Sequence, residues 1–251
     1  MIRGLYTSGS GMLAAQSQSD IIGDNIANIK TPGYKAEQGS AFVFPTELIN
    51  RISSDENGVP QSVPIGLLST GVVVDRVSKI NIPGTVQTTD KATDLALETP
   101  GFFVVQTAEG LRYTRNGQFQ LNSAGVLQTV DGYAVLGENG PIMVNDPLSP
   151  QLTIAADGTV TDGENVIDRL RVMDIAETDL SREGQSLYSA NQAFPAPAVQ
   201  VRQGALEASN VDTATQMVQM ITVMRAYEAN QKVIQTQDAT LEKAVNEVGK
   251  I

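Results

Sequence analysis

Residues 217–248 read MVQMITVMRAYEANQKVIQTQDATLEKAVNEV, with no proline or glycine. Within this stretch Met217, Met220, Met224, Tyr227, Gln231, Ile234, Asp238, Leu241, Val245 and Val248 recur at alternating spacings of three and four. That rhythm sets one stripe along an α-helix and extends over more than four heptads. The reading therefore places a helix across 206–248, about 60 Å long, with Ser209 or Asn210 as N-cap and Asp212 favourable to the helix dipole. A stripe of methionine and β-branched residues is a packing seam. Gln231 and Asp238 interrupt it, and polar seam positions lower stability while fixing register. Replacing Asp238 with Leu is expected to strengthen the seam and loosen its specificity.

The other end of the chain carries a matching signal. Leu5, Ser8, Met12, Ala15, Ser19, Ile22, Ile26 and Ile29 follow the same alternation, so 1–30 read as a helix with a narrow, small-residue stripe. Thr31-Pro32-Gly33 stops it, because Pro32 disfavours α geometry at Thr31. Between the helices the period falls to two. GFFVVQT (101–107) and IDRLRVMDI (167–175) are strand-like, and Asn-Gly or Asp-Gly turns recur at 116, 131, 139, 157 and 162. Residues 36–90 read as an extended linker with one strand at 71–77. The expected fold is α+β, with N- and C-terminal helices pairing as a coiled-coil-like unit around a central β-rich domain. Its divisions are 1–35, 36–90, 91–200 and 201–251. A lone pair of helices buries little, so other subunits are expected to complete the seams.

Composition narrows the chemistry. The 251 residues include no cysteine, histidine or tryptophan. Imidazole bases, thiolate nucleophiles and cysteine-ligated metals are therefore excluded. The formal charge of −11 argues against nucleic acid and anionic membranes, which require clustered Lys and Arg. No run reaches 18 apolar residues, and glycine, serine and threonine interrupt any apolar signal-peptide core in the first 30. Gly9-Ser10-Gly11-Met12-Leu13-Ala14 has the spacing of a dinucleotide loop but lacks the preceding strand. Asp157, Asp162, Glu164 and Asp168 could hold Ca²⁺ or form a hydrolase acid–base pair. Their spacing fits neither a calcium loop nor anything better than Asp-Gly turns. Lys30, Tyr34 and Lys35 form a small basic-aromatic patch, for which a helix C-terminus is sufficient explanation. No catalytic residue, cofactor, metal or small-molecule substrate is expected. The competing readings are a carboxylate-dependent hydrolase and a tail- or adhesin-like β module.

With these residues in place, a resemblance becomes specific. DNIANIKTPGYK (24–35) resembles the N-terminal signature of bacterial flagellar rod and hook proteins, with Asn25, Asn28, Thr31, Gly33, Tyr34 and Lys35 in its positions. The stretch from Gln203, QGALEASNVDTATQMVQMITVMRAYEANQKVIQTQD, is similar to the family's second signature through Gly204, Leu206, Glu207, Ser209, Asn210, Val211, Met217, Met220, Ile221, Arg225, Tyr227, Glu228 and Asn230. TDLALETPGFFVVQ, YTRNGQFQLNSAGVLQTVDGYAVLG and LTIAADGTV resemble its central domain. The sequence departs from the pattern at Thr222-Val223-Met224, where many relatives carry a glutamine before the arginine.

The resemblance implies a structural basal-body protein that self-associates helically with rod and hook-family subunits. It also implies export unfolded through the flagellar type III apparatus, consistent with the absence of cysteine, and residence in the periplasm or cell wall layer. VLGENGPI, LTIAADGTV and IDRLRVMDI favour a proximal over a distal rod position. The expected assembly residues are Asn25, Asn28, Thr31, Pro32, Gly33 and Tyr34 at the exit from the first helix. In the second they are Met217, Met220, Met224, Arg225, Tyr227, Glu228, Gln231, Ile234, Asp238 and Leu241.

Overall fold

The structure, a computed structural model, describes residues 2–54, 60–80, 82–144, 151–184 and 186–248. The chain divides into two compact units. The first comprises Met1–Asn25, Glu37–Ser78 and Thr213–Ile251, and the second Ile26–Ala36 and Lys79–Asp212.

In the first unit, helix α1 spans Ile2–Ala27 and helix α2 spans Thr213–Lys243, ending in a π turn at Ala244–Val248. The expected α1 stripe is covered from Ser8 onward: Ser8, Ala15 and Ile22 are buried, and Met12, Ser19, Ile26 and Ile29 half-buried, while Leu5 is exposed. The contacts run antiparallel. Gly4 lies against Gln237 and Gly11 against Asn230, Ser19 Oγ is 3.3 Å from Met220 Sδ, and Asn25 Nδ2 donates to Gln216 Oε1 at 3.2 Å. No residue of α2 is buried.

Residues 36–90, expected as a linker with one strand, instead contain a long ribbon. Glu37–Val43 is hydrogen-bonded to Val72–Lys79, and Thr46–Ser54 pairs antiparallel with Pro60–Ser69, from Thr46 opposite Ser69 to Ser54 opposite Pro60. Leu48, Ile52, Ile65 and Leu67 stand exposed on it. Scarce aromatics and abundant serine concealed these strands, because alternation is a weak signal where neither face packs on a core. Val72 N donates to Ser10 Oγ at 3.2 Å, tying the ribbon to α1.

The second unit is built on Phe102–Thr107. This strand pairs with Gly110–Thr114, Ala134–Val135 and Val172–Asp174. The sheet extends through Leu187–Ala190 to Leu180–Glu183 on one side and through Leu127–Thr129 to Phe119–Leu121 on the other. The central strand is covered on both faces. Phe103 and Val105 pack with Leu95, Phe119, Leu127, Val135, Ile142 and Val160, while Phe102 and Val104 pack with Tyr113, Met173 and Tyr188. Burial on both sides is why GFFVV is continuously apolar rather than alternating. Leu152–Ile154, Thr159–Asp162 and Asn165–Arg169 form a separate three-stranded sheet.

Three expectations change here. The helix expected from 206 begins at Thr213, because Ala205–Glu207 is a strand paired with Val86–Thr88. Neither Ser209 nor Asn210 is accordingly an N-cap. IDRLRVMDI is two strands, Asn165–Arg169 and Val172–Asp174, divided where Leu170 bridges Gly137. Asn116-Gly117 makes no hairpin: a side chain at Gly117 would collide with the Leu95 carbonyl oxygen, so that glycine serves close packing.

The acidic cluster is occupied by turns. Asp157 accepts from Thr159 N at 3.0 Å and Thr159 Oγ1 at 2.9 Å, bonds that hold its carboxyl below the usual value. Asp168 accepts from Asn139 N at 3.0 Å and Asn139 Nδ2 at 2.9 Å.

Candidate functional site: a half-covered helix pair and a buried ionic clasp

The expected assembly residues separate into two groups. Those at the end of α1 and just after it turn inward: Asn25, Asn28, Gly33 and Tyr34 are buried, and Thr31 and Pro32 half-buried. Asn25 is 1% exposed, and its amide grips the backbone of Glu37 twice: Nδ2 donates to Glu37 O and Oδ1 accepts from Glu37 N, both at 2.8 Å. One side chain thereby substitutes for a strand neighbour.

In the second unit, Asn28 Oδ1 accepts from Thr31 Oγ1 at 3.2 Å, closing the turn that carries Pro32. Gly33 sits at φ +69°, where a Cβ would strike the Arg115 carbonyl, and its N–H donates to Glu207 O at 2.7 Å. Both the conformation and the approach require glycine. Tyr34 is buried, with the Arg182 guanidinium 5.1 Å from its ring centroid.

Next to that turn lies a cluster of charges in the interior. Lys35 Nζ donates to Glu207 Oε1 at 2.5 Å and Arg115 Nε to Glu207 Oε2 at 2.6 Å, with all three side chains at most 5% exposed. Such residues are almost never fully buried unless paired. The two cations exceed the one carboxylate, and backbone carbonyls make up the difference. Ile82 O accepts from Lys35 at 3.0 Å, and Leu97 O (3.0 Å) and Gly101 O accept from Arg115. Gly84 N adds a donor to Glu207 at 2.9 Å.

Burial pushes the Lys35 ammonium below its ordinary pKa, and Glu207 only partly restores it. For Glu207 burial alone would raise the pKa. The Arg115 charge, the Lys35 hydrogen bond and the Gly84 N–H together bring it below the usual carboxylate value. Asn210 completes the arrangement by accepting from Ala36 N at 2.7 Å and donating to Ile80 O at 2.7 Å and Ile82 O at 3.0 Å.

Most of the group on α2 is outward-facing. Met220 and Ile234 are half-buried, whereas Met217, Met224, Arg225, Tyr227, Glu228, Gln231, Asp238 and Leu241 are exposed; the side chain of Val248 lies outside the described residues. The face turned to α1 instead follows Gln216, Met220, Val223, Asn230, Ile234 and Gln237. Met220 and Ile234 belong to the expected rhythm, whereas 216, 223, 230 and 237 are each displaced from it by one residue. An open groove of about 730 Å³ lies along the first unit, lined by Leu5, Tyr6, Met12, Leu13, Phe44, Tyr227 and Ile234 among others.

The clasp itself was not foreseen. Lys35 and Glu207 belong to the two terminal signatures and Arg115 to YTRNGQF, but nothing in a linear sequence pairs charges 92 and 172 positions apart.

The comparisons with known proteins converge on these same segments. Three family profiles match: "Flagella basal body rod protein" over residues 5–35, "Flagellar hook protein FlgE/F/G D1 domain" over 96–162, and "Flagellar basal body rod FlgEFG protein C-terminal" over 202–247. Lys35, Arg115 and Glu207 contribute one clasp residue to each. The chain is 35% identical to the flagellar hook-basal body complex protein FlhO of Bacillus subtilis, covering 100% of both chains. It is 32% identical to the flagellar basal-body rod protein FlgG of the same organism, over 98% of this chain and 99% of that one. Against the flagellar basal-body rod protein FlgF of Caulobacter vibrioides it is 32% identical over 100% of both. The chain belongs to the flagellar basal-body rod family, whose members are structural, non-enzymatic components of the basal body.

Proposed function

We propose that this chain is a proximal rod subunit whose terminal helices pair in coiled-coil fashion and pack with those of neighbouring axial subunits. The assembled helices line the export channel and transmit torque. The observation that carries this reading is the uncovered apolar face of α2. Met217, Val218, Ile221 and Met224 are 54–64% exposed on a helix with no buried residue. A single chain leaves them in water, and many weakly packed copies covering one another would resist shear together.

Gln231 and Asp238 are exposed on that face, so the register they set lies between chains rather than within one. Asn25, Asn28, Thr31, Pro32, Gly33 and Tyr34 shape the path of the chain after α1. Passage through the flagellar type III apparatus in an unfolded state is part of the same proposal, supported by the absence of cysteine.

Examining basal bodies from a deletion strain tests the position. A proximal subunit predicts that assembly stops before the distal rod and hook. Basal bodies that carry a completed distal rod without this chain would refute it.

A further inference from the structure

The faces that α1 and α2 turn to each other keep a strict spacing. On α1 positions 4, 11 and 25 meet positions 237, 230 and 216 of α2, and 18 and 223 continue the same spacing. Each step of seven along one helix is matched by a step of seven back along the other. Gly4 faces Gln237, and Gly11 faces Asn230, whose Nδ2 would lie 2.8 Å from a Cβ at position 11. Asn25 donates to Gln216 at 3.2 Å. Gly9 and Gly23, by contrast, have nothing within 4 Å of a would-be Cβ. Two of the four α1 glycines are therefore holes filled by amide side chains, and two are not. The fit leaves Gln237 Oε1 buried and unpartnered among the described residues. An orphaned amide oxygen lowers stability, so tight packing alone does not account for a glutamine there.

Resting on the pairing reading above, we infer that Gly4, Gly11, Asn230 and Gln237 form a register lock, in which amide knobs enter glycine holes at one alignment of α1 on α2. Heptad-spaced polar positions specify alignment in helix pairs at a cost in stability. A slip of one heptad in one direction sets Gln18 against Asn230 and separates Asn25 from Gln216. A slip in the other sets Gly11 against Val223 and carries Gln237 past the start of α1. The lock also selects partners: an α2 without amides at these two positions leaves the holes empty.

Because the chain has no cysteine, engineered pairs report alignment cleanly. Ser19→Cys with Met220→Cys joins side chains already in contact, and Ser19→Cys with Met224→Cys reports a one-turn slip. In the full chain the first pair should oxidise readily and the second should not. Adding Gly4→Leu and Gly11→Leu fills the holes with a better helix former, so a weakened helix cannot explain the result. Oxidation of the first pair should fall about tenfold as overpacking displaces the helices, and the second pair should begin to link. Adding Asn230→Ala and Gln237→Ala should restore the first pair.

Failure of the first pair to link in the otherwise unaltered chain overturns the pairing itself. Linking at an undiminished rate in the filled variant, or no recovery on trimming the amides, overturns the lock while leaving the pairing intact.

Discussion

The two units of this molecule place their apolar residues in opposite ways. In the sheet unit, Leu95, Phe103, Leu127, Ile142 and Val160 are wholly buried, and both faces of Phe102–Thr107 are covered by the same chain. In the helix-and-ribbon unit, Ile52 is 80% and Val218 64% exposed, and α2 buries nothing completely. One unit completes its core within a single chain. The other holds a narrow contact of glycine, serine and amides and leaves its larger apolar groups uncovered. An assembly subunit requires that division: a part that is folded beforehand, and a part whose burial waits for neighbours.

Hydrogen exchange on the monomer separates the two units most strongly. Amides of Phe102–Val105 should open only with the whole sheet unit, and those of Met217–Met224 should exchange about a thousandfold faster. Equal protection would mean that the helices are as self-sufficient as the sheet.

Next in size is Glu207→Ala, which leaves Lys35 and Arg115 buried without their carboxylate. Denaturant unfolding should register a loss of about 4 kcal/mol. Because the native pKa of Glu207 is lowered, its contribution is fully present above the ordinary carboxylate value near 4.3 and is lost as pH falls toward the native one. Stability of the parent should therefore drop in acid, and Glu207→Gln should flatten that part of the profile. Lys35, also lowered, adds stability as pH rises from its native pKa toward about 10.4.

Leu127→Ala, at a fully buried site, should cost about 3 kcal/mol by the same measurement. Asn25→Ala removes both bonds to the Glu37 backbone and should cost about 2 kcal/mol. It reads as a loosening of the ribbon's first strand in exchange data. The smallest effect on the monomer belongs to Met224→Ala, within about 0.5 kcal/mol because the side chain is 56% exposed. The same variant should instead incorporate poorly into rods in a motility and basal-body assay. A Met224→Ala chain that destabilises the monomer but assembles normally would reverse the roles of the two units.

Much of this was legible in the chain. Periodicity located both helices and the buried strand, and the terminal signatures identified the family. The ribbon at 37–79 was not legible, since strands exposed on both faces carry no alternating pattern to detect. The α2 start was misplaced because LEAS can extend a helix, yet Leu206 and Glu207 pair with Gln87 and Val86. The phase of the α2 seam was misjudged for a related reason. The helix carries two overlapping stripes: Met220 lies against α1, whereas Met217 and Met224 stand on the exposed one, proposed above to meet neighbouring subunits.

Local physics of sequence is thus sufficient for the existence of the two helices, though not for their limits at Ala27 and Thr213, and for the absence of imidazole or thiol chemistry. Tertiary structure alone decided that Asn230 and Gln237 face α1 while Gln231 and Asp238 do not, because one residue is a turn of 100° and no propensity records it. It likewise decided that Lys35, Arg115 and Glu207 belong together. The stability of a buried charge depends on what surrounds it in space, and here that surrounding comes from three separate segments of the chain.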